Sequence, residues 1–164
     1  MNIKKIIFVR HAKSSWKYNV SDMDRPLKNR GIDDAGIISQ EFKKLSLSID
    51  FIYSSPANRA LSTCKIFQKC LNHSENMLSI TEDLYDFGGE CVLEFIKSID
   101  NELNSVMLFG HNHAFTSLVN ILGDKIIDNL PTSGLVIIDF NVDSWEYVKF
   151  GQTKKIMFPK DYRL

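Results

Sequence analysis

Short runs of β-branched and other apolar residues alternate with amphipathic segments along most of the 164-residue chain. This alternation is typical of an α/β layer fold with a largely parallel sheet. We therefore predict a three-layer sandwich in which a mostly parallel central sheet is flanked by helices. The expected strands are residues 3–9, 50–54, 77–80, 105–109, 135–140 and 145–150, with the last two forming a hairpin and the final dozen residues forming a packed or partly ordered tail.

Helices are predicted between these strands. Residues 28–45 carry apolar side chains at spacings of three and four, which places them on one helix face. That face consists of Ile32, Ala35, Ile38, Phe42 and Leu45. A second helix is expected to begin at Ser55 as N-cap, with Pro56 in its first turn. Shorter helices are predicted over residues 92–99 and around residues 115–122.

Composition limits the class of protein. The chain has the length of one domain, 1–164, and its 20 basic and 20 acidic residues give a formal charge of zero. Such a balance shows no bias toward nucleic acid or membranes, so an anion would have to bind at a few focused basic groups. Three cysteines, without zinc-site or CxxC spacing, suit a reducing compartment. We expect a cytoplasmic monomer with no membrane span.

Basic residues follow the predicted strands at the places where those strands end. Arg10 and His11 follow the first strand, His111 follows the fourth, and Arg59 lies in the first turn of the helix after the second strand. Open parallel sheets bind ligands beyond the carboxyl ends of their strands. Arginine forks match phosphate oxygens, and a free helix N-terminus also favours an anion. The sequence therefore predicts a phosphate site at this edge of the sheet.

Two histidines at such a site can divide the chemistry. A neutral imidazole attacks phosphorus when its other ring nitrogen is held as a donor, and a protonated one can stabilise the equatorial oxygens. No metal or cofactor is needed. A zinc site at His11, His111 and His113 is disfavoured, because two arginines would oppose the cation and no carboxylate or thiolate has ligand spacing.

Several sequence blocks carry a resemblance to a known family. They are residues 10–14 (RHAKS), 24–27 (DRPL), 30–31 (RG), 54–57 (SSPA) and 110–112 (GHN). In these blocks the chain resembles the histidine phosphatase superfamily, which has the phosphoglycerate-mutase-like fold, and within it the SixA-like phosphohistidine phosphatases. The resemblance extends over nearly the whole chain.

The resemblance implies roles for individual residues. It makes His11 the phosphorylated nucleophile and gives Arg10, Arg59 and His111 the task of holding the phosphoryl group. Ser14 is a further candidate for phosphate binding at the rim, with a turn or capping role as the alternative.

Three more residues near these blocks have structural or functional interpretations. Arg25 and Arg30 are assigned mainly to structure, because a salt bridge with Asp24 or a loop clamp would explain them as well as phosphate binding would. Trp16 is assigned either to the pocket mouth or, more simply, to a core contact.

The class of substrate that the site can cleave depends on whether the site contains a proton donor for the leaving group. An alkoxide leaves a phosphate ester only with the help of a general acid, whereas an imidazole, whose conjugate acid has a pKa of about 6.5, leaves readily. By resemblance Asp86 holds the position of that acid, and an ordinary loop aspartate is the alternative. About fifty residues separate Arg59 from His111, too few for a large cap over the site. We expect dephosphorylation of a phosphohistidine on a phosphotransfer or signalling protein; a small-ester phosphatase and a non-catalytic phosphate-binding module are the alternatives.

Overall fold

The computed structural model describes residues 3–164 and contains one six-stranded sheet. The order across the sheet is β3-β2-β4-β1-β5-β6. The first four strands in that order run parallel to one another, whereas β5 is antiparallel to β1 and to β6. The strands are β1 (Lys4–Arg10), β2 (Phe51–Ser54), β3 (Leu78–Ile80), β4 (Ser105–Gly110), β5 (Leu135–Phe140) and β6 (Gln152–Met157).

Four helices cover the two faces of the sheet: α1 (Asn29–Lys43), α2 (Asn58–Leu71), α3 (Glu90–Lys97) and α4 (Ala114–Leu122). Strand β1 lies in the middle of the sheet and is covered by helices on both faces. Its successive side chains point to opposite faces, so alternate residues pack against different helices. Ile6 and Phe8 pack with α3 and α4, whereas Ile7 and Val9 pack with α1 and α2. The predicted α/β sandwich with a mostly parallel sheet is therefore confirmed.

The strand predicted over residues 145–150 is wrong. Trp145–Tyr147 forms a single 3₁₀ turn, and the last strand is β6, which begins one residue before the segment expected to be a tail and continues into it. The apolar side chains of Trp145 and Val148, three residues apart, are both buried in the core. The Trp145 indole N–H donates to the Leu103 carbonyl at 2.8 Å. Strand β6 reads as polar because it forms an edge of the sheet and exposes Lys154 and Lys155.

Two details of the predicted helices also need correction. Helix α2 begins at Asn58, so Ser55 is not its N-cap and Pro56 precedes the helix. Ile32, expected on the buried face of α1, is 46% exposed. The first turn of α1 instead packs through Gly31, where an added Cβ would lie 2.3 Å from the Lys13 carbonyl oxygen. None of the helices described in residues 3–164 is long and apolar enough to span a membrane.

Candidate active site

The parallel pairing of β1 with β4 brings two of the predicted site residues together. Arg10 pairs with Gly110 at the ends of these strands, so His11 and His111 leave the sheet side by side. Their ring centroids are 5.2 Å apart and their planes are inclined by 53°. Arg59 in the first turn of α2 joins Arg10 and His11 in lining an open cleft of about 350 Å³ at this edge.

The backbone of His11 is held on both sides. Its N–H donates to the Gly110 carbonyl at 3.0 Å, and its carbonyl accepts from the Ser133 N–H at 3.2 Å. The preceding Arg10 is bound in the same way, donating to the Gly134 carbonyl at 3.1 Å. The residue that carries the candidate nucleophile is therefore fixed between β4 and the segment that enters β5.

The His11 side chain has its tautomer set by one hydrogen bond. Nδ1 lies 2.7 Å from the Ala12 carbonyl oxygen, and because a carbonyl can only accept, Nδ1 carries the hydrogen. Burial lowers the His11 pKa to about 3; the bond to Ala12 opposes this, and the charges of His111, Arg59 and Arg10 reinforce it. At neutral pH the imidazole is uncharged and Nε2 keeps its lone pair, the form that a nucleophile requires.

His111 is almost fully buried, at 1% exposure, and contacts Ser55. Its Nε2 lies 2.8 Å from Ser55 Oγ, which also accepts from the Ala57 N–H at 3.2 Å. Burial, followed by the charge of Arg59, lowers the His111 pKa to about 3. The protonated His111 considered from the sequence therefore does not occur in the free site at neutral pH. If Ser55 donates its hydroxyl to Nε2, Nδ1–H becomes a donor, and Nδ1 has no partner within residues 3–164.

The two arginines of the cleft are anchored at one edge. Arg10 Nη1 donates to the Leu130 carbonyl at 2.9 Å, and the two Nη atoms of Arg59 donate to the carbonyl and carboxylate of Asp22 at 2.7 and 3.0 Å. The Nε atoms of both arginines are buried and lack a partner among the described residues. Burial and the charge of Arg59 lower the Arg10 pKa. Both guanidinium groups line the same cleft, and arginine forks match the oxygens of a tetrahedral oxoanion.

Asp22 is a central residue of this cleft that the sequence did not reveal. Its Oδ2 accepts from Arg59 and from the Tyr85 hydroxyl at 2.6 Å, and its Oδ1 accepts from Arg25 Nε at 3.2 Å. Burial alone would raise the Asp22 pKa, but the hydrogen bonds from Tyr85 and Arg59 lower it to about 2. Asp22, and not the Asp24 considered from the sequence, is thus the salt-bridge partner of Arg25.

Ser14 and Asp86 occupy different environments. Ser14 lines the cleft, and its Oγ accepts from Arg25 Nη1 at 2.6 Å. Asp86 is not among the cleft-lining residues, although the next residue, Phe87, is. One Asp86 oxygen accepts from the Gly88 N–H at 3.1 Å, and the other accepts from Gly89 and Val92 at 3.0 and 3.2 Å. These are the contacts of a cap on the N-terminus of α3.

No group of three or more histidine, cysteine or acidic side chains in the described part of the chain is arranged to bind a metal ion. The charged residues that line the cleft are instead mostly basic: they are Arg10, Lys13, Arg25, Lys28 and Arg59, with Asp22 as the acidic one. The site is therefore suited to an anionic ligand.

Comparison with known proteins agrees with this geometry. An uncharacterized protein of Mycobacterium tuberculosis is 27% identical over 142 residues, which cover 79% of this chain and 85% of that protein. The SixA protein from Agrobacterium tumefaciens matches with a TM-score of 0.80 and 26% identity, covering 95% of this chain and 98% of that one. The protein histidine phosphatase SixA complexed with tungstate matches with a TM-score of 0.82 and 22% identity, over 97% and 99% of the two chains.

The fold is shared more widely. A phosphoglycerate mutase from Bacillus anthracis has a TM-score of 0.63 at 18% identity, covering 90% of this chain and 96% of that one. The described sheet is thus of the phosphoglycerate-mutase-like type. Because the match to the histidine phosphatase superfamily (branch 1) extends over residues 6–91, more than half of the chain, this protein belongs to that superfamily.

Proposed function

We propose that this protein removes phosphate from a phosphohistidine displayed on another protein, using His11 as the nucleophile. The observation that carries the proposal is the state of His11: a neutral imidazole, with Nδ1 bound to the Ala12 carbonyl, that lines the same cleft as Arg10 and Arg59. A nucleophile of this kind forms a covalent intermediate and divides one difficult displacement into two easier ones.

The reaction proceeds in two steps. Nε2 of His11 attacks phosphorus while the P–N bond of the substrate breaks, and the leaving imidazole keeps the bonding electron pair and takes a proton from solvent. Water then attacks the phosphorus on His11, the N–P bond breaks, inorganic phosphate departs and the proton lost by water passes to solvent. Arg10, Arg59 and the Nδ1–H of His111 stabilise the phosphoryl oxygens during both transfers.

The contacts of the carboxylates in and near the cleft favour a phosphoramidate (P–N) substrate over an alkyl phosphate ester. Asp22 lines the cleft, but its pKa of about 2 keeps it ionised at neutral pH, so it has no proton to give to an alkoxide. Asp86 uses both oxygens to accept N–H groups of Gly88, Gly89 and Val92 at the start of α3, which favours capping over proton donation. Its role as a general acid stays a prediction. An imidazole leaving group makes no comparable demand.

Relatives give independent support for this assignment. A protein histidine phosphatase, SixA, shares the fold over 97% of this chain and was solved with tungstate, an oxoanion of the shape that phosphate has. The Arg10 and Arg59 side chains that line the cleft would suit the same kind of anion. The open cleft can admit a residue on a protein surface, which supports a protein substrate.

A rapid-quench experiment with labelled donors tests the proposal. The wild-type protein is mixed with a ³²P-labelled phosphohistidine domain or with a labelled sugar phosphate, and acid-labile label is mapped on the chain. We expect label on His11 from the phosphohistidine domain, none in His11→Asn, and release of inorganic phosphate. An Asp86→Asn variant should retain this activity.

The other outcomes distinguish the alternatives. Fast turnover of the sugar phosphate that collapses in Asp86→Asn would establish a small-ester phosphatase with Asp86 as its acid. Saturable binding of both donors without phosphate release would establish a binding module. Either result would refute the proposed function.

A further inference from the structure

A connected series of side-chain contacts surrounds the mouth of the cleft. The Trp16 ring lies over the Arg25 guanidinium, with 3.6 Å between Cζ and the ring centroid. Arg25 Nε binds Asp22 Oδ1 at 3.2 Å, and Asp22 Oδ2 accepts from the Tyr85 hydroxyl at 2.6 Å. Trp16 is thus stacked on a cation that Asp22 and Ser14 hold in place.

The series ends at a second aromatic ring. The Tyr85 and Phe87 rings meet edge to face with centroids 5.3 Å apart, and the Phe87 ring lies 5.1 Å from that of His111. Phe87 is therefore positioned by contacts on two sides, one of them a candidate catalytic histidine. Trp16 and Phe87, the aromatic rim, both line the cleft together with His11.

The aromatic rim is exposed although it is held in place. Trp16 is 76% exposed and Phe87 is 46% exposed. An indole and a phenyl ring left in water beside a cleft offer apolar area for a ligand, and fixing them beforehand reduces the entropy that binding would cost. Other exposed rings, such as Tyr18 and Phe150, do not line the cleft.

We propose that the aromatic rim is a leaving-group subsite that takes the planar imidazole of the phosphohistidine. This inference rests on the proposed function and adds the part of the substrate that the rim recognises. The arginines bind the phosphoryl oxygens, which every phosphate substrate has in common, so they cannot distinguish one leaving group from another. A flat aromatic leaving group can stack on Trp16 or pack against Phe87, whereas ammonia or a small alkoxide cannot.

The subsite also explains how the protein could distinguish phosphohistidine from other phosphate compounds without a proton donor for the leaving group. Discrimination between substrates depends on differences in binding at the transition state, and contacts to the departing ring supply such a difference. The rim orients the ring while the P–N bond lengthens, so that the phosphorus faces His11 Nε2. The bond that breaks and the bond that forms are those of the proposed reaction.

Two small P–N donors test the subsite. 1-Phosphoimidazole has an aromatic leaving group, whereas phosphoramidate loses ammonia and has no ring. We expect Trp16→Leu and Phe87→Leu each to reduce kcat/KM for 1-phosphoimidazole by about five- to tenfold and to change kcat/KM for phosphoramidate by less than about twofold. Tyr18→Leu, an exposed aromatic outside the cleft, is the matched control and should change neither value.

The subsite and the proposed function fail in different ways. A wild-type protein that hydrolyses neither P–N donor nor a phosphohistidine domain would refute both. If the wild-type protein is active but the rim variants lose activity equally on both donors, the rings serve the phosphoryl site and the subsite is refuted while the function stands. The subsite is also refuted if the rim variants hydrolyse 1-phosphoimidazole as fast as the wild-type protein does. If these variants are weakened on the phosphohistidine domain alone, the rim contacts another part of that protein and the subsite is likewise refuted.

Discussion

Mild acid should destabilise this protein through two buried imidazoles of the candidate site, those of His11 and His111. His11 and His111 have pKa values of about 3 in the folded protein, against 6.5 in an unfolded chain, chiefly because both rings are buried. Between pH 6.5 and pH 3 the unfolded chain therefore binds protons that the folded protein does not. Since stability decreases as pH falls wherever the unfolded state binds more protons, folding is favoured above pH 6.5 and weakened below it.

The size of the effect follows from the same two pKa values. At pH 5 an imidazole with a pKa of 6.5 is protonated in the unfolded chain, while one with a pKa of about 3 stays neutral, a difference of about 2 kcal/mol per group. Together His11 and His111 should lower the free energy of unfolding by about 4 kcal/mol between pH 7.5 and pH 5. Domains of this size have about 5–15 kcal/mol in total, so the loss is large.

Urea denaturation at a series of pH values between 7.5 and 5 measures this effect. The wild-type protein should show the full loss, and His111→Gln, which retains hydrogen-bonding groups but cannot titrate, should show about half of it. Refutation would be a wild-type free energy of unfolding that is constant over this range, or a His111→Gln variant with the same pH dependence as the wild type. Either result would mean that the imidazoles are accessible to protons in the folded state.

Three substitutions probe other contacts of the site. Ser55→Ala leaves His111 Nε2 buried without its partner and should cost about 1–3 kcal/mol of unfolding free energy. The same variant should have a lower kcat/KM, which Ser55→Thr should partly restore. An alanine variant as stable as the wild-type protein would contradict this contact. Asp86→Ala should cost about 1 kcal/mol through loss of the cap on α3 and leave P–N hydrolysis unchanged, so a large rate loss would argue for proton donation. Gly31→Ala should lower the thermal midpoint by several degrees, because its Cβ would meet backbone at 2.3 Å, and an unchanged midpoint would show that the loop before α1 can move.

The sequence revealed the phosphate-facing edge because its signals are local. The apolar residues of β1 give way directly to Arg10 and His11, and those of β4 to Gly110 and His111. Each ending can be recognised within a few residues, and the rule for parallel sheets then places the two ends at one edge. The position of Arg59 near the start of a helix could be recognised for the same reason.

The parts that the sequence did not reveal depend on contacts between distant segments. Asp22 binds Arg59 across 37 positions in the chain, and nothing around Asp22 distinguishes it from its neighbour Asp24. The edge strand β6 was missed because its exposed lysines hide the alternation of a half-buried strand. Trp145 suggested a strand by its β propensity, but its burial beside Leu103 made a helical turn the better solution.

The clamp on the His11 backbone has a mechanical consequence. The His11 N–H and carbonyl are hydrogen-bonded to Gly110 and Ser133, so the backbone that carries the imidazole is held as firmly as the central strands of the sheet. Displacing it would require neighbouring strands to separate, which costs far more than reorienting a residue on a mobile loop. If the proposed function holds, a phosphoprotein substrate must therefore present a phosphorylated side chain that protrudes far enough to reach His11.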